Sequence, residues 1–127
     1  MNFFSNIINM TELITILSTG QGTWADVAKL INNDEWSKIF IITNEFGKST
    51  FNQKDNIEFV IINPDWDIDK IRNKIIEDLK DKIKGTQIAL NFVSGSGKEH
   101  MATLSALLKM GLGIRLITYS EGSIKEL

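Results

Sequence analysis

No cysteine occurs in the chain, which excludes disulfides and thiolate chemistry and leaves the redox compartment unmarked. Histidine occurs once, at His100, too few for an ordinary zinc site, and no metal or other cofactor is expected. No apolar run approaches the roughly 20 residues that a membrane span requires, so no membrane partner is expected. Nor does either sign of charge dominate: the net charge of −2 argues against a general basic field that coats long nucleic acid, and confines any phosphate binding to a local site. Residues 1–10 lack the basic start, long apolar stretch and small-residue cleavage site of a secretory signal. They read as a flexible or docking arm, with Met10 an alternative start, and the expected setting is the cytoplasm.

What is present suits a single domain of residues 11–127. The chain's 127 residues suffice for a real core, and 43% hydrophobic against 24% charged composition is ordinary for a globular fold. Residues 13–17, Leu-Ile-Thr-Ile-Leu, form a short β-branched run that enters Ser18-Thr19-Gly20-Gln21-Gly22-Thr23, reading as a buried strand and a turn. Trp24, Val27, Ala28, Leu30 and Ile31 then fall at helical spacing, with Thr23 at the N-cap and Asn32-Asn33-Asp34 closing the helix.

A second strand is expected at 38–43, ending in a turn over Asn44-Glu45-Phe46-Gly47, and a third at 57–62, ending at Asn63-Pro64-Asp65. Between them, residues 47–56 are too polar and broken to read as a helix, yet long enough to cross over a sheet. Residues 67–84 carry Ile68, Ile71, Ile75, Ile76, Leu79 and Ile83 as one helical stripe, with Gly85 as the stop. A fourth strand at 87–93, a helix from about 98 to 110 closed by Gly111, a fifth strand at 113–118 and a short antiparallel tail at 124–127 complete the pattern.

Near-continuous apolar strands alternating with amphipathic helices predict a Rossmann-like α/β domain: a mainly parallel five-stranded sheet, order 3-2-1-4-5, with helices on both faces. In such a sheet the ligand crevice opens at the carboxyl ends of strands one and four, where the winding reverses. The loops at 18–23 and 94–98 would then face each other across it.

The second loop, Ser94-Gly95-Ser96-Gly97-Lys98, offers two hydroxyls, two glycines for close backbone approach and a cation at a helix start, a combination suited to an anion. It is not a Walker A loop, because Phe92 stands where that pattern needs glycine and Glu99 where it needs Ser or Thr. Gly20-Gln21-Gly22 followed by Thr23-Trp24-Ala25 likewise fails the dinucleotide pattern. Each loop also reads as a plain strand-to-helix turn with Lys98 solvated. His100 reads either as a ligand contact or as a surface or cap histidine, and Trp24 and Trp66 either as base-stacking rings or as lids and core packing. Asp26, Glu45 and Glu99 show no spacing that marks an acid–base or metal pair.

The stretch Asn91-Phe92-Val93-Ser94-Gly95-Ser96-Gly97-Lys98-Glu99-His100-Met101, with small residues Ala102, Ser105 and Ala106 and a closing Gly111-Leu112-Gly113, resembles the motif of the CRISPR-associated Rossmann-fold (CARF) family, sensors of cyclic oligoadenylates in antiviral defence. Ser18-Thr19-Gly20 matches the family's other binding loop. The order Ser-Gly-Ser-Gly departs from the family's Thr-Gly-Gly-Thr, and Met101 stands one residue later relative to Lys98. The resemblance implies a homodimer that binds a cyclic oligoadenylate through Ser18, Thr19, Gly20, Gln21, Gly22, Thr23, Ser94, Gly95, Ser96, Gly97 and Lys98. Members usually continue into an effector domain, so a chain ending at Leu127 is expected to be a bare sensor or a ring nuclease. A ring nuclease cleaves its ligand without metal, with Lys98 stabilising phosphate charge and Ser18 and Thr19 positioning the backbone. The alternative is a non-catalytic interaction domain with this fold and no nucleotide ligand.

Overall fold

Ile, Leu, Val and Phe dominate the runs that become strands, and in the computed structural model these runs lie side by side as one sheet. The structure describes residues 11–18, 21–33, 36–51 and 55–127; the N-terminal arm, Thr19, Gly20 and Asp34 lie outside the described residues. The strands are β1 (Glu12–Ile16), β2 (Lys38–Thr43), β3 (Ile57–Ile61), β4 (Gln87–Asn91), β5 (Gly113–Ser120) and β6 (Ser123–Glu126). Their order is β3-β2-β1-β4-β5-β6, parallel throughout except for the antiparallel β5–β6 pair. This is the Rossmann-like order expected from the sequence, with the tail as its antiparallel edge.

Alternation along each strand divides the core in two. Ile14, Ile16, Phe40, Ile42, Val60, Ile88 and Leu90 face α3 (Ile68–Leu79) and α4 (Gly97–Lys109), whose Ile71, Ile75, Leu79, Ala102, Ala106 and Leu107 are buried against them. On the opposite face Leu13, Ile39, Ile41, Ile57, Ala89 and Ile117 meet Val27, Leu30 and Ile31 of α1 (Trp24–Asn33) and the buried Trp36. Burial on both faces explains the unbroken apolar strands, each fully covered Ile or Leu contributing roughly 1.5–3 kcal/mol.

Several boundaries differ from those the sequence suggests. α2 (Glu45–Thr50) occupies part of the segment expected to be irregular, because Asn44 caps it by accepting from the Gly47 N–H at 2.8 Å. Gly47 is required there: a Cβ would lie 2.0 Å from Thr43 Oγ1, the hydroxyl that donates to the Leu17 carbonyl at 2.7 Å. α3 stops at Leu79 rather than near Lys84. The buried Glu12 carboxylate takes the N–H groups of Lys84 and Gly85 at 2.8–3.1 Å, so these residues turn toward the start of β1 instead of extending the helix. β4 ends at Asn91, where the side-chain Oδ1 accepts from Val93 N–H at 3.0 Å and turns the chain out of the sheet. Thr23 lies in a 3-10 turn (Gln21–Thr23) that runs directly into α1, so it is part of a helical turn and not a free N-cap.

Candidate functional site

The carboxyl ends of the strands are laced by backbone and side-chain hydrogen bonds. Leu17 N–H donates to the Ile42 carbonyl at 2.9 Å, Asn91 Nδ2 donates to the Ile117 carbonyl at 2.8 Å, and Ile62 N–H donates to the Thr43 carbonyl at 2.8 Å. Across the switch point between β1 and β4, the Ser18 N–H donates to Ser94 Oγ at 3.0 Å, joining loops that lie 76 residues apart in sequence. The two loops therefore touch instead of flanking an open cleft. Ser94 is 2% exposed, so its hydroxyl serves this junction and is not presented to solvent.

The turn that follows is closely specified. Gly95 adopts φ +110°, a left-handed conformation that favours glycine, and a Cβ there would lie 2.9 Å from both His100 Nε2 and Ile16 Cγ2. His100 Nε2 donates to the Ser94 carbonyl at 2.9 Å, which fixes the proton on that nitrogen because a carbonyl only accepts. Its ring stacks on Phe92 with centroids 4.4 Å apart. His100 is thus a brace of the turn.

Ser96 caps α4 in a complete capping box: Ser96 Oγ accepts from Glu99 N–H at 3.3 Å, and Glu99 Oε1 accepts from Ser96 N–H at 2.7 Å. What remains open at this helix start is the N–H of Gly97 and of Lys98, the first positions of the helix, and the Lys98 ammonium, which is exposed and has no partner among the described residues. These groups can receive an anion. The buried Glu99 carboxylate lies in the same turn and opposes its charge.

On the β1 side, Gly22 is exposed, Thr23 is half-buried and the backbone of Gln21 lies in the 3-10 turn. Trp24 leans back over this loop, its Nε1 donating to the Ser18 carbonyl, and its ring contacts Phe46 with centroids 5.8 Å apart. The sequence pattern missed the roles of Glu99 and Phe46. Ser-x-x-Glu is a visible capping-box signal for the first, whereas the second depends on α2.

Two cavities flank the junction. One of about 210 Å³ lies between α1 and the ends of β4 and β5, lined by Asp26, Asn91 and Tyr119 among others. Another, of about 400 Å³, lies over the ends of β2 and β3, lined by Asn44, Phe46, Asn63 and Trp66 among others. A third, of about 710 Å³, opens at the opposite edge and is lined by Glu12, Lys38, Glu58, Asp81, Lys82 and Lys84 among others. Two of its carboxylates are committed to structure: Glu12 ties the loop before β4, and Glu58 pairs with Lys82 at 2.8 Å and with Lys38 at 3.9 Å. The Glu58 hydrogen bond holds the Lys82 ammonium above its ordinary pKa, against the opposing effect of burial. Among the described residues no three His, Asp or Glu side chains converge as a metal site would need, and no helix is long and apolar enough to cross a membrane. No family model matches the chain, and no curated protein matches it.

Proposed function

We propose that this domain binds a cyclic oligoadenylate at the carboxyl edge of its sheet, as the resemblance to CARF sensors implies. One ligand phosphate would lie against the Gly97 and Lys98 N–H groups and the Lys98 ammonium, with Ser18 and the turn Gln21–Thr23 on the facing side. The observation that carries this reading is the open start of α4, where the Gly97 and Lys98 N–H groups and the exposed Lys98 ammonium lie at the switch point of a 3-2-1-4-5 sheet. Val93 and Met101, which flank Lys98 in sequence and are 40% and 61% accessible, would give a second copy of the chain apolar side chains to meet. A homodimer with the ligand on its two-fold axis, acting in the cytoplasm, belongs to the same proposal.

If the domain also cleaves its ligand, the ribose 2′-hydroxyl attacks the adjacent phosphorus and loses its proton to water, the bond to the 5′-oxygen breaks and that oxygen takes a proton from water, leaving a 2′,3′-cyclic phosphate and a 5′-hydroxyl, with Lys98 offsetting the charge that builds on the phosphoryl oxygens. Calorimetric titration with cyclic tetra- and hexa-adenylate tests binding. Heat with one of them is expected, weakened roughly ten- to a hundredfold by Lys98→Ala. Absence of heat with both removes the proposal, and an unchanged ligand after long incubation removes only the cleavage step.

Two observations favour a second reading, an interaction domain without a nucleotide: Glu99 already occupies the Ser96 N–H, and Trp24 already occupies the Ser18 carbonyl. That reading predicts no response to any nucleotide.

A further inference from the structure

The cavity of about 400 Å³ over the ends of β2 and β3 is lined by Asn44, Glu45, Phe46, Asn63 and Trp66 among others. Phe46, at 52% exposure, is the most exposed aromatic side chain among the described residues, and it lies on this wall. Trp66 lies on the same cavity, and Lys70 steadies its ring from 4.5 Å. The turn that carries Trp66 is fixed: Asp65 N–H donates to Asn63 Oδ1 at 2.9 Å, and Trp66 N–H donates to the Asn63 carbonyl at 3.0 Å.

Asn44 and Asn63 both spend their Oδ1 on local turns, which leaves each Nδ2 without a partner among the described residues. Glu45 adds an exposed carboxylate acceptor. Two amide donors, one carboxylate and two rings match a purine that offers ring-nitrogen acceptors, an exocyclic amine and two faces for stacking. A purely apolar guest would leave the amides unused.

We propose that this cavity is a subsite for the adenine base of the ligand, stacked against Phe46 and Trp66 and hydrogen-bonded by Asn44 and Asn63. The assignment rests on the reading above for the ligand's identity, and continuity of surface supports it. From Ser94 the contacts run to Ser18, to Trp24 and to Phe46, along the same edge. Phosphate site and base site lie over β4 and over β2–β3, two to three strand spacings of about 4.8 Å apart. A ligand larger than one nucleotide can span that distance.

The test uses adenosine, which carries the base and no phosphate, titrated into the full chain with tryptophan fluorescence as the readout. Adenosine should quench in the millimolar range. Phe46→Ala should weaken it roughly tenfold and Phe46→Tyr should restore it, whereas Lys98→Ala should leave it unchanged. Circular dichroism with thermal unfolding checks that each variant is folded. No quenching overturns the subsite, as does equal affinity in Phe46→Ala, or a loss in Lys98→Ala as large as in Phe46→Ala. Adenosine binding without any binding of cyclic oligoadenylates would uphold the subsite while removing the ligand reading.

Discussion

Gly95 and Ser94 carry much of what is unusual about the turn into α4, and each has a definite physical cost of replacement. Gly95→Ala combines a φ of +110° with a Cβ 2.9 Å from His100 and Ile16, and is expected to destabilise the fold by about 2–3 kcal/mol in urea unfolding. Ser94→Ala removes the acceptor of the Ser18 N–H and should cost about 1–2 kcal/mol, with the two loops loosened together. The sequence marked both residues as special because serine and glycine at a strand-to-helix junction are a recognisable pattern. It did not reveal which hydroxyls would face a ligand: Ser94 turns inward to Ser18 and Ser96 caps α4, leaving Gly97 and Lys98 as the open donors.

At the scale of elements, local patterns predicted most of the secondary structure, and long-range contacts set the boundaries that were missed. The periodicity of residues 67–84 continues through Ile83, which is half-buried, so nothing local stops the helix at Leu79. The stop comes from Glu12, 72 residues away from Lys84 in sequence. Glu12→Gln is therefore expected to cost about 1.5–3 kcal/mol by equilibrium unfolding, through loss of charge-assisted bonds to the Lys84 and Gly85 amides. α2 escaped notice for a similar reason, since six residues give too short a period to read, and its start depends on the Asn44 cap and on the close approach of Gly47 to Thr43.

The opposite sheet edge yields a pH prediction. Lys82 is held above the ordinary lysine value of 10.5, chiefly by its hydrogen bond to Glu58. A raised folded-state value means that the pair stabilises fully below 10.5 and stops doing so as the pH rises through the raised value. The unfolding midpoints of wild type and Glu58→Gln should therefore converge at strongly alkaline pH.

For the whole molecule, the strand order was legible because strands buried on both faces and separated by amphipathic helices admit few arrangements. The candidate site was legible in the sequence only as two loops. Their contact, the cavities on either side of it and the aromatic wall at Phe46 emerge from the packing of elements distant in sequence. At this scale the proposed homodimer predicts a light-scattering mass twice the 14.3 kDa of the chain; a monomer at all concentrations would confine the site to one copy.

The most direct measurement is an amide NMR titration with cyclic tetra- and hexa-adenylate. The proposed function predicts shifts at Gly97, Lys98 and Ser18, on the carboxyl edge of the sheet, with the amides of Lys82, Lys84 and Gly85 at the opposite edge unmoved. Spectra that do not change with either ligand, or shifts confined to the Glu12–Gly85 edge, would contradict it.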